Sequence, residues 1–307
     1  MKNAVRAAAA LIAVALAAST LACTHADGRA EGTSAADFEA PMHDKPRSDD
    51  ARLSIQWIGH ATMLVQMDDK FILTDPFLSS RMALVQGRLV GPGLSAEELP
   101  PIDTVLISHM HPDHLSLGSL GRIQHKVSRL FVPQGGLVYI PNYSFDSREL
   151  RTWQSFESDG LKITAVPVDH VGGRYGIDTK WMSKSFTGYV VEYHGLSVFF
   201  AGDTAYDARD FKRTGRTFPK LDVALLPIAP IAPYKRMRKV HMDPDGALDA
   251  LVDLGAATMV PMHFDTLRSD DAPGQARERL LAEAHARGLD DRVEVLHVGE
   301  RAVLIPR

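Results

Sequence analysis

The chain has 307 residues, of which 45% are hydrophobic, and its formal net charge is −4 at pH 7 with the histidines neutral. This length and composition allow a sizeable core in one large domain or in two small ones. The negative charge argues against a protein that is built mainly to bind nucleic acid, so we expect no nucleic-acid partner.

The first 22 residues have the layout of a secretory signal peptide. Lys2 and Arg6 form a basic start, an apolar run extends from Ala7 to Ala18, and small residues follow. The run is short for a membrane-spanning helix, and the alternative is an N-terminal anchor that stays attached. We predict a signal peptide over residues 1–22 and an exported, periplasmic protein.

Cys23, the only cysteine of the chain, follows the apolar run. The segment "TLAC" resembles the lipobox of bacterial lipoproteins, in which the cysteine carries lipid, although Thr20 stands where that motif has an aliphatic residue. Cleavage by an ordinary signal peptidase near Ala22 or Ala26 is the alternative. A lipidated Cys23 would hold the chain at the periplasmic face of a bacterial membrane.

Residues 23–50 are small, polar and charged, which is typical of a flexible tether rather than of folded structure. The folded domain is predicted to span residues 51–307. It begins with "LSIQWIGHATMLVQM" and "KFILTDP", which predict strands joined by a turn at Asp68 and Asp69.

Further along the chain, short apolar runs bounded by Gly, Pro or Asp predict more strands. They are "DTVLIS", "KITAVPV", "TGYVVEY", "LSVFFAG" and "DVALLPI", with "RVEVLHVGE" and "RAVLIP" closing the chain. Helices are predicted for "LSLGSLGRI", for "DPDGALDALVDLG" with its Asp cap and terminal Gly, and for "PGQARERLLAEAHARG". Runs of strands with helices between and after them favour packed sheets flanked by helices.

The segment "HMHPDH" carries four metal-binding side chains within six positions, namely His109, His111, Asp113 and His114. His109 and His111 are two residues apart, so in an extended segment both point to the same side and can reach one metal. Asp113 and His114 follow the turn at Pro112 and can face a second metal. Imidazole and carboxylate groups both bind Zn²⁺, so the segment predicts a metal site. The alternative is a surface loop that is rich in histidine by chance.

Three other apolar runs each end on a residue that can bind metal. His170 ends "KITAVPVDH", Asp203 ends "LSVFFAGD" and His263 ends "ATMVPMH". Each signal is weak alone, since a histidine after a strand is often structural. Because loops at strand ends are where side chains converge on a ligand, we expect these residues to join the "HMHPDH" cluster in one metal site.

These motifs resemble a known superfamily. "HMHPDH", with the later "VDH", "AGDT" and "MHFD", resembles the metallo-β-lactamase fold. "WIGHATMLVQ", "LTDPFLSSR", "FFAGDTAY" and "VHMDPDGA" extend the resemblance to the branch of the N-acyl-phosphatidylethanolamine-hydrolysing phospholipases D and the L-ascorbate 6-phosphate lactonases. The match runs in order from Ser54 to Arg268, and it implies an α/β fold, the four-layer αββα sandwich.

The resemblance also implies two zinc ions per chain and a set of seven ligands. His109, His111 and His170 would hold the first ion, Asp113, His114 and His263 would hold the second, and Asp203 would bridge them. A hydroxide between the two metals would attack the substrate, although Mn²⁺ or Fe²⁺ suits the same ligands. The predicted domain has no cysteine, which zinc β-lactamases commonly use as a ligand, so that branch is not favoured.

Other residues match the family's motifs without being ligands. Asp75 in "LTDP" corresponds to an Asp that supports the ligand histidines, and a turn cap before Pro76 is the alternative. His60 in "GHAT" is predicted to lie behind the ligands or to be structural. His241 in "VHMDPDG" would lie near the substrate and donate a proton or bind a phosphate oxygen, and an exposed histidine is the alternative. Together with Asp113, which could also transfer a proton, His241 is a candidate catalytic residue.

The sequence therefore predicts a di-zinc hydrolase that cleaves a phosphodiester in a small molecule or in a phospholipid of the N-acyl-phosphatidylethanolamine type. The alternatives are a lactonase or another carboxylic-ester hydrolase and, in a different class, a metal-binding lipoprotein without turnover. The run "YKRMRK", residues 234–239, carries four positive charges beside His241. It would attract an anionic head group, and a solvated charged face is the alternative.

Overall fold

The computed structural model describes residues 41–82 and 86–307. The predicted signal peptide, Cys23 and residues 23–40 of the predicted tether lie outside this part of the chain. Within the described ranges, none of the helices has both the length and the apolar composition that a membrane span requires.

The first of two large sheets contains seven strands. They are Ala51–Gly59 (β1), Thr62–Met67 (β2), Lys70–Thr74 (β3), Ile102–Leu106 (β6), Val127–Pro133 (β7), Asp146–Leu150 (β8) and Arg301–Pro306 (β15). Their spatial order is β15-β1-β2-β3-β6-β7-β8. The strands from β3 to β8 in this order run parallel, so the carboxyl ends of β3 and β6 lie at the same edge.

The second large sheet contains six strands, and a separate ribbon is formed by Arg81–Met82 (β4) and Gln86–Gly87 (β5). The six strands are Ser155–Ser158 (β9), Leu161–Val166 (β10), Gly188–Tyr193 (β11), Leu196–Phe200 (β12), Val223–Pro227 (β13) and Thr258–Met262 (β14). Their spatial order is β14-β13-β12-β11-β10-β9, and β12, β13 and β14 run parallel.

Five α-helices accompany the sheets in the described part of the chain. They are Leu117–Ile123 (α1), Ala208–Thr217 (α2), Tyr234–Met237 (α3), Pro244–Leu254 (α4) and Gln275–Ala286 (α5). The predictions for α1, α4 and α5 are confirmed. Helix α4 begins where the Asp243 carboxylate accepts a hydrogen bond from the Gly246 N–H, and it ends at Gly255 with a φ of 65°. These are the cap and the terminal glycine that the sequence indicates.

Alternating side chains of the first sheet enter two hydrophobic cores. On β2, Met63 and Val65 belong to the core shared with the second sheet, whereas Leu64 belongs to the core shared with α1. This period of two is what a strand that is buried on both faces requires. Because α2, α4 and α5 add residues such as Phe211 and Leu248 to the core of the second sheet, the layers are helix, sheet, sheet and helix. The predicted αββα sandwich is confirmed.

The prediction of a strand over residues 292–300 is wrong. Asp290–Arg292 form a 3₁₀ turn, and only Val293 makes an isolated bridge, to Met259. The chain then turns at Gly299, whose φ is 89°. A Cβ atom there would lie 1.8 Å from the Met42 carbonyl oxygen, so the backbone of residue 42 occupies the space that a strand side chain would need.

Residues 42–50, which belong to the predicted tether, contact the domain. The Met42 N–H donates a 2.6 Å hydrogen bond to the Val298 carbonyl. The Gln66 amide accepts from the Ser48 N–H at 2.9 Å and donates to the Ser48 carbonyl at 2.8 Å. A buried glutamine must satisfy both ends of its amide, and the backbone at Ser48 does this. Polar composition alone did not indicate this contact.

Candidate metal centre

The candidate ligands follow the ends of strands on both sheets. The "HMHPDH" segment follows β6, His170 follows β10, Asp203 follows β12 and His263 follows β14. The Ser108 carbonyl accepts a 2.9 Å hydrogen bond from the Thr187 N–H next to β11, so the first sheet's loop is fixed to the second sheet. The metal-binding side chains therefore meet between the two sheets at one edge of the sandwich.

The first group contains the three predicted ligands of the first metal. His109 Nε2 lies 2.8 Å from His111 Nδ1. The His170 ring centroid lies 4.6 Å from that of His109 and 5.3 Å from that of His111. One nitrogen from each ring lies within 4.8 Å of the others, so the three imidazoles can hold one ion.

The second group contains the predicted ligands of the second metal together with His60. His114 Nε2 lies 3.3 Å from His263 Nε2 and 3.7 Å from Asp113 Oδ2. Ligand atoms of these residues and of His60 lie within 4.8 Å of one another. His60 Nε2 lies 3.0 Å from Asp113 Oδ2, and its ring also packs against that of His114 with the centroids 5.1 Å apart.

Asp203 lies between the two groups. Its Oδ2 atom is 3.3 Å from His114 Nε2 and 4.0 Å from His170 Nε2, and its Oδ1 atom is 3.0 Å from His263 Nε2. One carboxylate thus reaches histidines of both groups. This is the position that a bridging ligand needs, and the other six predicted ligands lie around it.

The ligand histidines are oriented from behind by hydrogen bonds to their other nitrogen. His170 donates from Nδ1 to the Val240 carbonyl at 2.7 Å, and His263 donates from Nδ1 to the Ala229 carbonyl at 3.1 Å. Because a carbonyl only accepts, Nδ1 carries the proton in both rings and Nε2 presents its lone pair to the centre. Sequence reasoning did not find these two carbonyls, since any residue type can supply one.

Asp75 supports the ligands as the family resemblance implies. Its Oδ2 lies 2.7 Å from His114 Nδ1 and accepts a 2.5 Å hydrogen bond from Ser108 Oγ, while Oδ1 accepts from the Ser108 N–H at 2.7 Å. Ser108 Oγ also lies 3.0 Å from His109 Nδ1. Asp75 and Ser108 therefore position one histidine of each group, and Ser108 is a residue that sequence reasoning missed.

His60 and His241 both lie beside the candidate ligands. His60 has a φ of 57°, and its ring centroid is 3.9 Å from that of His263. Its N–H donates to Thr266 Oγ1 at 3.0 Å, which fixes the left-handed turn between β1 and β2. His241 Nδ1 lies 3.5 Å from Asp203 Oδ2, so His241 belongs to the centre rather than to the exposed surface.

Burial controls the protonation of several of these groups. It lowers the pKa of His60 and of His170 to about 3, and that of His241 to about 4, because an imidazolium loses its hydration. Burial also acts to raise the pKa of Asp203, but the neighbouring His114 and other histidines hold that pKa well below its usual range. Neutral imidazoles beside an ionised carboxylate are the forms that bind metal.

Two buried atoms of the centre fit a bound divalent cation. His170 Nε2 and Asp203 Oδ1 are buried and have no hydrogen-bond partner. Unpaired buried polar atoms of this kind are costly, and their clustering at one point indicates that a metal satisfies them. The donor set of imidazoles and carboxylates suits Zn²⁺, and it also suits Mn²⁺ and Fe²⁺. The residues present therefore fit a pair of divalent cations.

A cavity of about 210 Å³ opens onto the centre. Metal-binding residues on its wall are His111, Asp113, Asp203 and His263, with His60 and His241 beside them. The cavity is also lined by Met82, Ala229, Pro230, Phe264, Asp265, Leu267, Arg268 and Ser269. Sequence reasoning did not assign these residues to the site. Phe264 and Asp265 belong to the "MHFD" motif but are not predicted ligands, and the others come from β4 and from the loops after β13 and β14.

Comparisons with known proteins agree with this geometry. Residues 70–264 match the family model described as the beta-lactamase superfamily domain. A Methanopyrus kandleri protein described as a UPF0173 metal-dependent hydrolase is 30% identical over 253 residues, which cover 81% of this chain and 98% of that protein. The mitochondrial N-acyl-phosphatidylethanolamine-hydrolyzing phospholipase D of Saccharomyces cerevisiae is 30% identical over 259 residues, which cover 80% of this chain and 54% of that protein.

Some relatives are longer than the matched region. A Mycobacterium tuberculosis protein is 32% identical over 252 residues, and the match covers 78% of this chain but 66% of that protein. Among solved structures, the metallo hydrolase Igni18 of Ignicoccus hospitalis aligns with a TM-score of 0.61 at 23% identity, over 81% of this chain and 97% of that chain, and it shows the same fold. Since the matching family model spans more than half of its length, the chain belongs to the metallo-β-lactamase superfamily.

Proposed function

We propose that the chain is a two-metal hydrolase that cleaves a phosphodiester, with phospholipids of the N-acyl-phosphatidylethanolamine type as its substrate class. The observation that carries the proposal is the position of Asp203, which reaches histidines of both metal-binding groups. A shared carboxylate between two groups of imidazole ligands is the arrangement that two-metal hydrolases use. The relatives described as metal-dependent hydrolase and as phospholipase D support the reaction class.

Two zinc ions in these groups would supply Lewis acidity and a water molecule of lowered pKa. The chain's own residues bind and orient. His170 and His263, fixed by carbonyls at Nδ1, present Nε2 to the centre. Asp113 Oδ2 accepts from His60 Nε2 at 3.0 Å, which orients this carboxylate beside His114 Nε2, 3.7 Å away.

We infer that His241 acts on the leaving group. It lines the cavity, and with a pKa of about 4 its ring is neutral at pH 7. A neutral imidazole can donate a hydrogen bond to an oxygen on which negative charge develops, and such donors stabilise transition states strongly. The role of His241 is therefore to stabilise the departing oxygen of the cleaved bond.

Metal analysis of the purified full chain, paired with a hydrolase screen, tests the proposal. We expect two zinc ions per chain, and chelator-sensitive cleavage of bis-p-nitrophenyl phosphate and of N-acyl-phosphatidylethanolamine. The variant Asp203→Asn should retain the fold and lose about 100-fold or more in activity, since each metal contributes several kcal/mol to catalysis. If the chain cleaves only lactones or carboxylic esters, it is a lactonase or carboxylic-ester hydrolase and not a phosphodiesterase. Bound metal with no cleavage of any substrate would indicate a binding protein instead.

We also propose that the chain is exported and held at a membrane through lipid on Cys23. The basic start, the short apolar run and "TLAC" support this proposal. Mass spectrometry of the mature chain tests it. An N-terminal diacylglyceryl-cysteine is expected, whereas a free N-terminus at residue 23 or 27 would assign cleavage to the ordinary signal peptidase.

A further inference from the structure

Exposed apolar side chains are concentrated beside the metal centre. Among the described residues, seven of the eleven exposed large apolar side chains lie in residues 136–139, 171–184 and 234–239, and these seven are Leu137, Val138, Val171, Tyr175, Ile177, Trp181 and Tyr234. Trp181 is 77% exposed, Val138 is 71% exposed and Ile177 is 65% exposed. We call the surface of these three segments the apolar-basic face. Grouped apolar side chains of this kind mark an interaction site.

The first two segments of this face are joined to each other. Tyr139 donates a hydrogen bond to the Asp178 carboxylate, and its ring packs against that of Tyr175 with the centroids 6.0 Å apart. The Asp178 carboxylate also accepts from the N–H groups of Arg174 and Tyr175. These hydrogen bonds fix the conformation of residues 171–184, while the apolar side chains of this segment remain exposed.

The face is also attached to the metal centre. Arg174 Nη1 donates to the carbonyls of Met110 and Leu115, each at 2.9 Å, and these residues lie in and directly after the "HMHPDH" segment. The third segment precedes Val240, whose carbonyl orients His170. A partner bound to the apolar-basic face therefore lies next to the residues that hold the metals.

The charge of the face is opposite to that of the whole chain. Its exposed cations are Lys180, Lys184, Lys235, Arg236, Arg238 and Lys239. Within the described ranges, no ion pair joins any of the six to a carboxylate. The only acidic residue in the three segments is Asp178, which is already hydrogen-bonded, whereas the chain carries a net charge of −4. Cations without ion pairs, surrounding exposed apolar side chains, are complementary to a partner with a negatively charged surface layer above an apolar interior.

We propose that the apolar-basic face docks onto an anionic phospholipid bilayer. Trp181, Ile177 and Val138 enter the boundary between head groups and acyl chains, and the cations contact lipid phosphates. A second copy of this chain fits the face poorly, because a two-fold interface would bring the cations of both copies together. The inference deepens the proposed function, since docking would deliver a lipid substrate to the metal centre.

Tryptophan fluorescence of the full chain tests docking directly. Of the three tryptophans of the chain, Trp57 is 2% exposed, Trp153 is partly buried and lies outside the face, and Trp181 is 77% exposed. A polarity change at the face is therefore reported by Trp181. Vesicles of phosphatidylcholine with phosphatidylglycerol should shift the emission to the blue, and phosphatidylcholine alone should not. Lipid on Cys23 would bring the chain to both kinds of vesicle but would not by itself bury Trp181.

Variants separate the parts of the surface. Lys180→Glu combined with Lys184→Glu should weaken binding to anionic vesicles about 25-fold or more, because each cation near an anionic surface contributes about five-fold. Trp181→Ser should weaken binding, whereas Trp181→Phe should bind and lose the blue shift. Val252→Ser and Lys220→Glu, at exposed positions outside the face, are the matched controls and should bind like the unchanged chain.

Three results would overturn docking. In the first, the face variants bind vesicles as well as the unchanged chain does. In the second, the chain self-associates and Trp181→Ser abolishes the self-association. In the third, the chain binds an acidic peptide but vesicles cause no blue shift. Hydrolysis of soluble bis-p-nitrophenyl phosphate by the same variants keeps this inference separate from the proposed function. Docking with no hydrolysis contradicts the proposed function alone, and hydrolysis with no docking contradicts this inference alone.

Discussion

The Nδ1 atom of His114 lies 2.7 Å from Oδ2 of Asp75, and both side chains are fully buried. Burial acts to raise the pKa of Asp75, and the charge of His114 opposes this effect. Ser108 also binds Asp75, since its N–H and its hydroxyl both donate to the Asp75 carboxylate. Asp75 is therefore the point at which the second metal-binding group is fixed to β3.

We expect Asp75→Asn to lower metal affinity about 10- to 100-fold, the usual effect of removing a hydrogen-bond partner behind a metal-bound histidine. The asparagine keeps the shape but loses the charge that orients His114. Competition with a chelator of known affinity measures the change. Asp249→Asn, on an exposed part of α4, is the control and should leave affinity unchanged. Equal affinities in the two variants would show that Asp75 acts only as a turn residue.

A glycine at the end of β12 allows the two sheets to approach each other at the centre. Gly202 has a φ of 62°, and a Cβ atom there would lie 2.1 Å from the Ser108 Cβ. Gly195 has a φ of 79° with nothing near its Cβ position. The two glycines therefore share the left-handed backbone and differ in the close contact.

We expect Gly195→Ala to cost about 1–2 kcal/mol of folding free energy, the usual penalty of a left-handed residue with a side chain. Gly202→Ala should cost more and should also lower the metal content, because Ser108 must move away from Asp75 and His109. Urea unfolding and metal analysis of both variants measure this. A Gly202→Ala chain with full metal content would mean that Ser108 has no part in positioning the ligands.

The sequence predicted which side chains meet at the centre better than it predicted the groups that hold them in place. His109, His170, Asp203 and His263 could be found because each is a metal-binding residue type at the end of an apolar run. The Val240 and Ala229 carbonyls that orient two of them could not, since a backbone carbonyl has no residue signature. Val240 lies 70 residues after His170, and Ala229 lies 34 residues before His263, so the fold rather than the local sequence brings each carbonyl to its histidine.

The errors in the fold have a similar cause. Residues 292–300 alternate like a strand, but Gly299 turns the chain against residue 42 from the other end of the sequence. Strand β7 was not predicted, although Leu130, Phe131 and Val132 are completely buried. Its first half includes Ser128 and Arg129, which interrupt the apolar pattern. Packing against distant parts of the chain determines the conformation of both segments, and a local sequence pattern does not reveal such packing.

Metal removal should lower the thermal stability of the chain. The centre leaves His170 Nε2 and Asp203 Oδ1 without hydrogen-bond partners, so a cation that binds the folded state satisfies groups that are otherwise costly. Free metal at 100 times its dissociation constant stabilises the folded state by about 2.7 kcal/mol. Differential scanning calorimetry with and without chelator measures the shift in Tm, which should reverse when zinc is added back. Identical melting curves would argue against a structural coupling of the site to the fold.

The role of His241 can be separated from that of a metal ligand. Its Nδ1 is 3.5 Å from Asp203 Oδ2, and with Asp203 and His263 it forms one of the groups that could hold a metal. If His241 stabilises the leaving oxygen, His241→Ala should keep the metal content and reduce kcat about 100-fold or more for a phosphodiester with an alkyl leaving group, as loss of such a donor does. The reduction should be smaller for nitrophenolate, which departs without help.

Metal content and the dependence on the leaving group decide between the two roles. A ligand would lose metal on substitution, and its activity would fall equally for both substrates. His241→Gln is the informative second variant, because its amide restores an N–H donor and should recover part of the activity on the alkyl ester. His194→Ala, at an exposed position on the β11–β12 turn, is the matched control. Since His194 lies far along the sheet from the strand ends that carry the ligands, this variant should match the unchanged chain in both measurements.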